Sequence, residues 1–285
     1  MTIYIIVLHY KNIEDTISCL ESIAKLKKDN LQIKVILVNN NSTSEESPPL
    51  AGPPSEVITI KNPRNLGFAA GVNVGIREAL KNKQTDCVLI LNNDTILPPH
   101  LLTELLKAPG DITAPVIKFQ WNEKWVYDFG GKVNWWTGRT THIESTNQPS
   151  PSRSHFATPG RWPHGLLPGE KSIDYVSGCC MLVKRKVFEK IGLFDEKYFF
   201  YFEDADFCIR AKKAGFKVTV NPNVNIYHKL GGSVGRWTNK AIFYNLLCNF
   251  IFISKHLGWK RPIGYIYLLL LTVKIVLNRI LSHSE

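Results

Sequence analysis

The chain has no Cys-x-x-Cys pair, no uncharged apolar run of twenty residues, and no basic, apolar leader at its start. The first absence removes the spacing shared by zinc ribbons and thiol exchange sites. Its six cysteines, at 19, 87, 179, 180, 208 and 248, then read as reduced thiols of a core. The second leaves the longest uncharged stretch of the apolar tail, residues 262–273, short of the ~20 residues a membrane span needs. The third predicts a chain without a secretory signal, working in the cytoplasm. Acidic residues are also scarce, 24 against 35 Lys and Arg, for a formal charge of +11. Such an excess calls for an anionic partner. The basic residues are spread along the whole chain and form no compact nucleic-acid module. Anionic lipid or a nucleotide diphosphate is therefore expected, and nucleic acid is not.

What is present is ordinary globular composition, 44% hydrophobic and 21% charged, over 285 residues. Apolar runs at 3–8, 33–38, 57–60 and 87–91 predict buried parallel strands. Between them, Ile13, Ile17, Leu20, Ile23 and Ala24 share one face of a helix capped by Asn12, and a second helix is expected over 68–81. This alternation predicts an α/β half with a Rossmann-like sheet. From 109 to 174 the pattern weakens. Trp121, Trp125, Trp135, Trp136 and Trp162 fall there, with a Pro/Ser-rich piece at 148–154. The segment reads equally as a lid or acceptor platform and as aromatic packing over the sheet. Regularity returns with a strand near 180, a helix at 186–191 ending at Gly192, a helix ending at Gly215 and a strand at 216–220. The tail, 241–280, is apolar with interspersed Lys and Arg. It fits helices lying in a membrane interface, or alternatively a helical cap on the domain.

Candidate chemistry gathers at strand ends, where open α/β sheets bind ligands. Asn39, Asn40, Asn41 and Ser42 follow the second strand; Asn92, Asn93 and Asp94 follow the fourth. Glu203, Asp204 and Asp206 open a helix, a position that stabilises carboxylates as anions. Three acids in four positions exceed what a cap requires, and a metal or general-base role competes with capping. His228 precedes Gly231, Gly232 and Ser233, and reads as a surface histidine, a metal ligand or a phosphate contact. The run from Asn65 through Gly67 to Gly71 and Gly75 is glycine-spaced. It lacks the position after the first strand and the later acid of a dinucleotide fingerprint. Small residues at a helix start can still accept a diphosphate.

Seven motifs occur in order: Val38-Asn-Asn-Asn-Ser-Thr, Asn65-Leu-Gly-Phe-Ala-Ala-Gly-Val-Asn, Leu91-Asn-Asn-Asp-Thr, Ser177-Gly-Cys-Cys-Met-Leu-Val-Lys-Arg, Gly192-Leu-Phe-Asp-Glu, Tyr201-Phe-Glu-Asp-Ala-Asp-Phe-Cys and Tyr227-His-Lys-Leu-Gly-Gly-Ser. Together they resemble the family 2 glycosyltransferases of the GT-A fold, in particular the rhamnosyltransferase-like branch, from Ile3 to about Gly235. The resemblance implies a mixed central sheet and a domain over 1–238. Residues 1–108 would bind the nucleotide-sugar and 109–238 would hold the acceptor and catalytic half, with an amphipathic helical region at 239–285. It implies His9, Asn39, Asn41, Asn65, Gly67, Asn93 and Gly178 as donor-binding residues, Asp94 and His228 as ligands of Mg²⁺ or Mn²⁺, Asp204 as general base and Glu203 beside it. The donor implied is a dTDP- or UDP-sugar, with rhamnose the first guess, and the acceptor a glycan or lipid-linked sugar of bacterial surface polysaccharide synthesis. The enzyme would invert the anomeric centre and sit on the inner face of the cell membrane through its C-terminal region; a homodimer is a candidate assembly. Asn39 and Asn92 replace acids common in the family.

Two rivals stand beside this reading. A sugar-phosphate nucleotidyltransferase would carry a glycine-rich basic loop after the first strand, where this chain has His9-Tyr-Lys-Asn. A catalytically inactive sugar-nucleotide-binding partner of a membrane glycan assembly would suit the two Asn replacements, but not the retained Asp94, Asp204 and His228. The helix N-terminus also predicts that Asp204 stays ionised at neutral pH without an unusual pKa.

Overall fold

Residues 1–40, 57–147, 173–230 and 238–282 are described by the computed structural model of the chain. Branched apolar runs form β1 (Thr2–His9), β2 (Gln32–Asn39), β3 (Val57–Lys61) and β4 (Thr85–Asn92), all parallel, in the order β3-β2-β1-β4. Every residue of β1 is buried. A strand covered on both faces needs that continuous apolar run. α1 (Ile13–Ala24) closes one face over Ile5, Val7, Leu37 and Leu89, and α2 (Gly67–Lys81) closes the other over Ile6, Val38 and Ile90.

Two expectations for α1 do not hold. Asn12 stands at the cap position in a left-handed conformation, and its side chain bonds Asp15 rather than a backbone amide. The buried side is Asp15, Thr16, Cys19, Ser22 and Ile23, not the Ile13–Ile17–Leu20 stripe. The cause is the helix's place beside the end of β4. Short polar side chains satisfy backbone there: the Leu97 N–H donates to Ser22 Oγ at 3.2 Å, and Cys19 Sγ lies 3.7 Å from the Asn92 carbonyl.

The second half extends the same sheet. β5 (Thr95–Ile96) and α3 (Leu101–Lys107) lead into three strands within the segment expected to be irregular, β6 (Ile112–Trp121), β7 (Lys124–Val133) and β8 (Thr140–Ser145). The β6–β7 hairpin turns on Asn122 and Glu123, both with positive φ (48° and 63°). Two left-handed residues suit a tight hairpin turn, but Asn-Glu lacks the Asn-Gly signature that would announce one. Trp162, the 148–154 piece, Asn41, Ser42 and residues 231–233 lie outside the described residues.

β9 (Cys180–Lys184) runs antiparallel between β4 and β6, and β10 (Val218–His228) runs parallel to β6, so the central sheet is mixed. β10 continues well past the expected 216–220, through a register shift between Asn221 and Asn225 that hides its period. β6 changes partner along its length. Ile112 and Thr113 pair with β9, whereas Ile117–Trp121 pair with β7. Asp128, opposite Ile117, therefore takes up the sheet where β9 has ended.

α4 (Arg185–Ile191) ends at Gly192, and α5 (Glu203–Lys213) is followed by Gly215; both glycines have positive φ, as stop signals require. α6 (Asn239–His256), capped by Thr238 Oγ1 accepting the Ala241 N–H, packs Cys248, Phe252 and Ile253 into the core beneath α5. A 3-10 turn, Gly258–Lys260, joins it to α7 (Arg261–Ser282). Here the sequence expectation of a tail too short to span changes. By length and composition the helix over Gly258–Arg279 is long and apolar enough to cross a membrane, and only 6% of it is buried. All six cysteines are free and buried.

Candidate functional site

Register brings the strand ends together. His9 pairs with Asn39 and Leu8 with Asn92, so the ends of β1, β2 and β4 share one edge. Asn39 is fully buried in that edge. Buried His9 places Nδ1 2.7 Å from Thr16 Oγ1, and Asn93 donates its side-chain amide to the same hydroxyl at 2.8 Å. Burial lowers the pKa of His9, which favours the neutral ring. One residue on, Asp94 Oδ1 lies 3.0 Å from His228 Nε2 at the end of β10. The Lys229 N–H donates to the Asp94 carbonyl, locking the two chain ends together.

Asn40 is the hub of the neighbouring cluster, and sequence reasoning gave it no role of its own. Its amide donates to Asn65 Oδ1 and to the Gly67 carbonyl, both at 3.0 Å. Its oxygen accepts from Asn62 and from the Leu66 N–H, both at 3.1 Å. Asn65 in turn accepts the Gly67 N–H at 2.8 Å. Gly67 is obligatory here. With φ at 81°, a Cβ would stand 2.4 Å from the Phe199 carbonyl, which accepts the Phe68 N–H at 2.8 Å. The glycine-spaced loop is thus latched at one end to the β2 edge and at the other to the aromatic run before α5.

That run carries strain into the acids. Tyr201 and Phe202 are both left-handed (φ 77° and 68°), a conformation costly for bulky residues. Phe202 is held by packing on Phe252 of α6, so α5 begins with Glu203 buried and Asp204 half-buried beside it. Asp204 Oδ2 accepts the Gly178 N–H at 3.1 Å and Oδ1 accepts the Ala205 N–H at 2.7 Å. Gly178 leaves room for both Phe68 and Asp204, and its neighbour Cys179 accepts the Asn92 N–H through its carbonyl. Gly178, Asp204 and the β4 end therefore form one surface.

The expectation that Asp204 has no unusual pKa does not hold. Burial pushes its pKa up, against the Gly178 N–H, the positive charge of His142 and the Ala205 N–H. Burial and the adjacent Asp204 charge push Glu203 well above the usual carboxylate range, and its Oε2 has no hydrogen-bond partner among the described residues. The dipole favours anions, but desolvation of two adjacent carboxylates outweighs it. Asp206 leaves the candidate group. It is fully buried on the opposite side of α5, bonded by Arg210, Lys255 and His256. Two further residues were missed, Asp128 and His142, with His142 Nδ1 2.8 Å from Asp128 Oδ2. They belong to no motif, and lie in the stretch whose periodicity was weak.

Metal chemistry can be tested on the donors present. Among the described residues no group of three His, Cys, Asp or Glu side chains could hold an ion. Asp94 and His228 offer two. That suits a hard divalent ion that completes its shell with water and the phosphates of a substrate.

A family model described as "Glycosyltransferase like family 2" matches residues 2–235. The low-salt glycan biosynthesis hexosyltransferase Agl10 of Haloferax volcanii is 27% identical over 218 residues, 75% of this chain and 62% of the relative, so the chain spans less than two thirds of that protein. The N-acetylglucosaminyl-diphospho-decaprenol L-rhamnosyltransferase of Mycobacterium tuberculosis is 26% identical over 254 residues, 80% of this chain and 77% of the relative. Among solved structures, the mannosyltransferase PcManGT from Pyrobaculum calidifontis, in complex with GDP-Man and Mn²⁺, superposes with a TM-score of 0.55 at 12% identity, over 99% of this chain and 79% of that one. The fold is of the GT-A type, and the chain belongs to the glycosyltransferase-like family 2.

Proposed function

We propose that the chain is an inverting glycosyltransferase that moves a sugar, rhamnose first among the candidates, from a dTDP- or UDP-sugar to a glycan or lipid-linked acceptor of bacterial surface polysaccharide synthesis. The observation that carries this reading is the convergence of Asp204, Gly178 and the β4 end on one surface, with the Asn40–Asn65–Gly67 latch beside it. Asn39 and Asn65 bind the nucleoside end of the donor, and Asn93 with His9 walls the pocket. Asp94 and His228 are the residues that would hold Mg²⁺ or Mn²⁺. The chemistry such an ion supplies when bound is neutralisation of charge on the leaving diphosphate.

Asp204 accepts the proton of the acceptor hydroxyl as that oxygen attacks the anomeric carbon from the face opposite the diphosphate. One displacement inverts the configuration. General-base assistance of this kind gives ~10² to 10⁴-fold. Glu203, buried beside Asp204, lines the acceptor side. The C-terminal helices seat the enzyme on the inner face of the cell membrane. Between Asn239 and Ser282 they carry no acidic residue, and they expose Phe243, Phe250, Leu269, Leu270 and Leu277. Apolar surface rimmed only by Lys and Arg suits an anionic bilayer.

Calorimetric titration with UDP-, dTDP- and GDP-sugars, each with and without Mn²⁺, tests the donor site. Metal-dependent binding of one nucleotide class is expected. Failure of all three to bind would favour the inactive-partner reading that Asn39 and Asn92 keep open.

A further inference from the structure

Between α4 and α5 the described chain, residues 192–202, is neither helix nor strand, so no backbone ladder fixes the turn that presents Glu203 and Asp204. That turn closes on Tyr201 and Phe202, both left-handed. Bulky residues keep such a conformation only where their surroundings over-determine it. α6 supplies surroundings of that kind. Tyr244 stacks on Phe199, with ring centroids 4.4 Å apart and planes 15° apart. Further along the helix, Phe252 meets Phe202 at 5.4 Å and His256 at 4.7 Å. His256 Nε2 lies 2.7 Å from Asp206 Oδ1. Lys255 Nζ lies 2.7 Å from Asp195 Oδ2 and 2.8 Å from Asp206 Oδ1. Tyr244, Cys248, Phe252 and His256 follow one another at i, i+4 spacing, so one stripe of α6 tracks the chain from Asp195 to Asp206.

We propose that α6 is a clamp on the entry turn of α5, and that Tyr244, Phe252 and His256 are positioning residues that hold Asp204 at the Gly178 surface. The inference rests on the reading of Asp204 as the general base. α5 begins between two holds. On one side Asp204 accepts the Gly178 N–H at 3.1 Å. On the other, fully buried Asp206 is bonded to His256, whose side chain is only 2% exposed. Upstream, Phe199 carries the clamp across to the glycine-spaced loop, because its carbonyl accepts the Phe68 N–H at 2.8 Å. A proton acceptor works only at short range, and a misplacement of about 1 Å costs on the order of 10²-fold in rate. The clamp lies wholly beyond residue 235, where the family match ends, so the site is completed by a part of the chain outside that match.

The test uses the full chain and two readouts. The first is amide hydrogen exchange at Gly178 and Phe68, whose acceptors are Asp204 Oδ2 and the Phe199 carbonyl. Exchange is expected to speed up ~10-fold at Gly178 in H256A and at Phe68 in Y244A, with the amides of β1 unchanged. The second is release of dTDP from dTDP-rhamnose with Mn²⁺, water standing in for the acceptor. In H256A its kcat is expected to fall ~10-fold, with the donor dissociation constant within about twofold of wild type. H256Q, whose side-chain amide can reach Asp206, is expected to recover most of that rate. Should H256A fail to fold, Y244A truncates a half-buried ring and puts the same question through Phe199. Unchanged exchange at Gly178 and Phe68 would overturn the clamp whatever the chain transfers. Donor affinity falling in step with turnover, or an H256Q as slow as H256A, would overturn the positioning role. Faster exchange in the variants of a wild-type chain that releases no dTDP would overturn the donor and base reading and leave the clamp standing.

Discussion

The two sides of the site are built from opposite materials. On the β2 edge, Asn40, Asn62, Asn65 and the backbone of Leu66 and Gly67 form a closed set of neutral hydrogen bonds, donors matched to acceptors. On the α5 side, buried Glu203 and half-buried Asp204 stand side by side, each with its pKa pushed up by desolvation. Neutral networks hold a shape whatever the pH. Buried acids hold a charge state, and that state depends on every neighbour. On the function proposed here, the difference divides the work: one side would fix where a donor lies, and the other would govern when a proton can move.

The sharpest way to break that division is Asp204→Asn. Removal of the base is expected to lower transfer by ~10³-fold while leaving donor affinity within about twofold. Steady-state kinetics beside calorimetric donor binding would check both halves of the statement. A parallel fall in donor affinity would make Asp204 part of the metal and donor site and dissolve the boundary between the two sides.

Asn40→Ala probes the other side. It removes one donor group and one acceptor that together serve four partners in a buried place, at a cost of about 3 kcal/mol in folding stability. Urea unfolding would measure the loss, and donor binding should weaken with it because the Asn65–Gly67 latch opens. Since none of the partners titrates, the loss is expected to be the same at pH 5 and pH 9. A loss that varied with pH across that range would link the neutral side to the acidic one.

How much of this was legible follows the same line. The runs at 3–8, 33–38 and 87–91 announced buried strands because a strand covered on both faces must be continuously apolar. The β6–β7 hairpin was hidden because Asn122-Glu123 makes its turn without glycine, while Pro115, Gly130 and Gly131 interrupt alternation. Asp204 and Gly178 stood in recognisable motifs, and the fold brings them into contact. The pKa of Asp204 was misjudged because a helix N-terminus is readable from sequence, but the desolvation its neighbours impose is not. His142 and Asp128 sit 14 residues apart on a hairpin that had no sequence signal, so their pairing had none either.

Asp206 shows how three neighbouring acids can have two fates. Positions 204 and 206 differ by about 200° around a helix, so they cannot face the same way. Asp206 faces α6, where Arg210 Nε lies 2.8 Å from one oxygen and Lys255 Nζ and His256 Nε2 lie 2.8 Å and 2.7 Å from the other. Burial opposes its charge, but the His256 bond, the Arg210 charge and the Lys255 bond carry its pKa down from 3.8 to about 2. A depressed pKa contributes stability that is fully present above 3.8 and is lost as pH falls through 2. Asp206→Asn should therefore cost about 2 kcal/mol at pH 7, with the gap to wild type narrowing below pH 4 and closing near pH 2. Unfolding midpoints of both proteins across that range would measure it. A constant gap would mean that Asp206 holds α6 by shape and hydrogen bonding alone, and that charge on α5 matters only on the side where Asp204 stands.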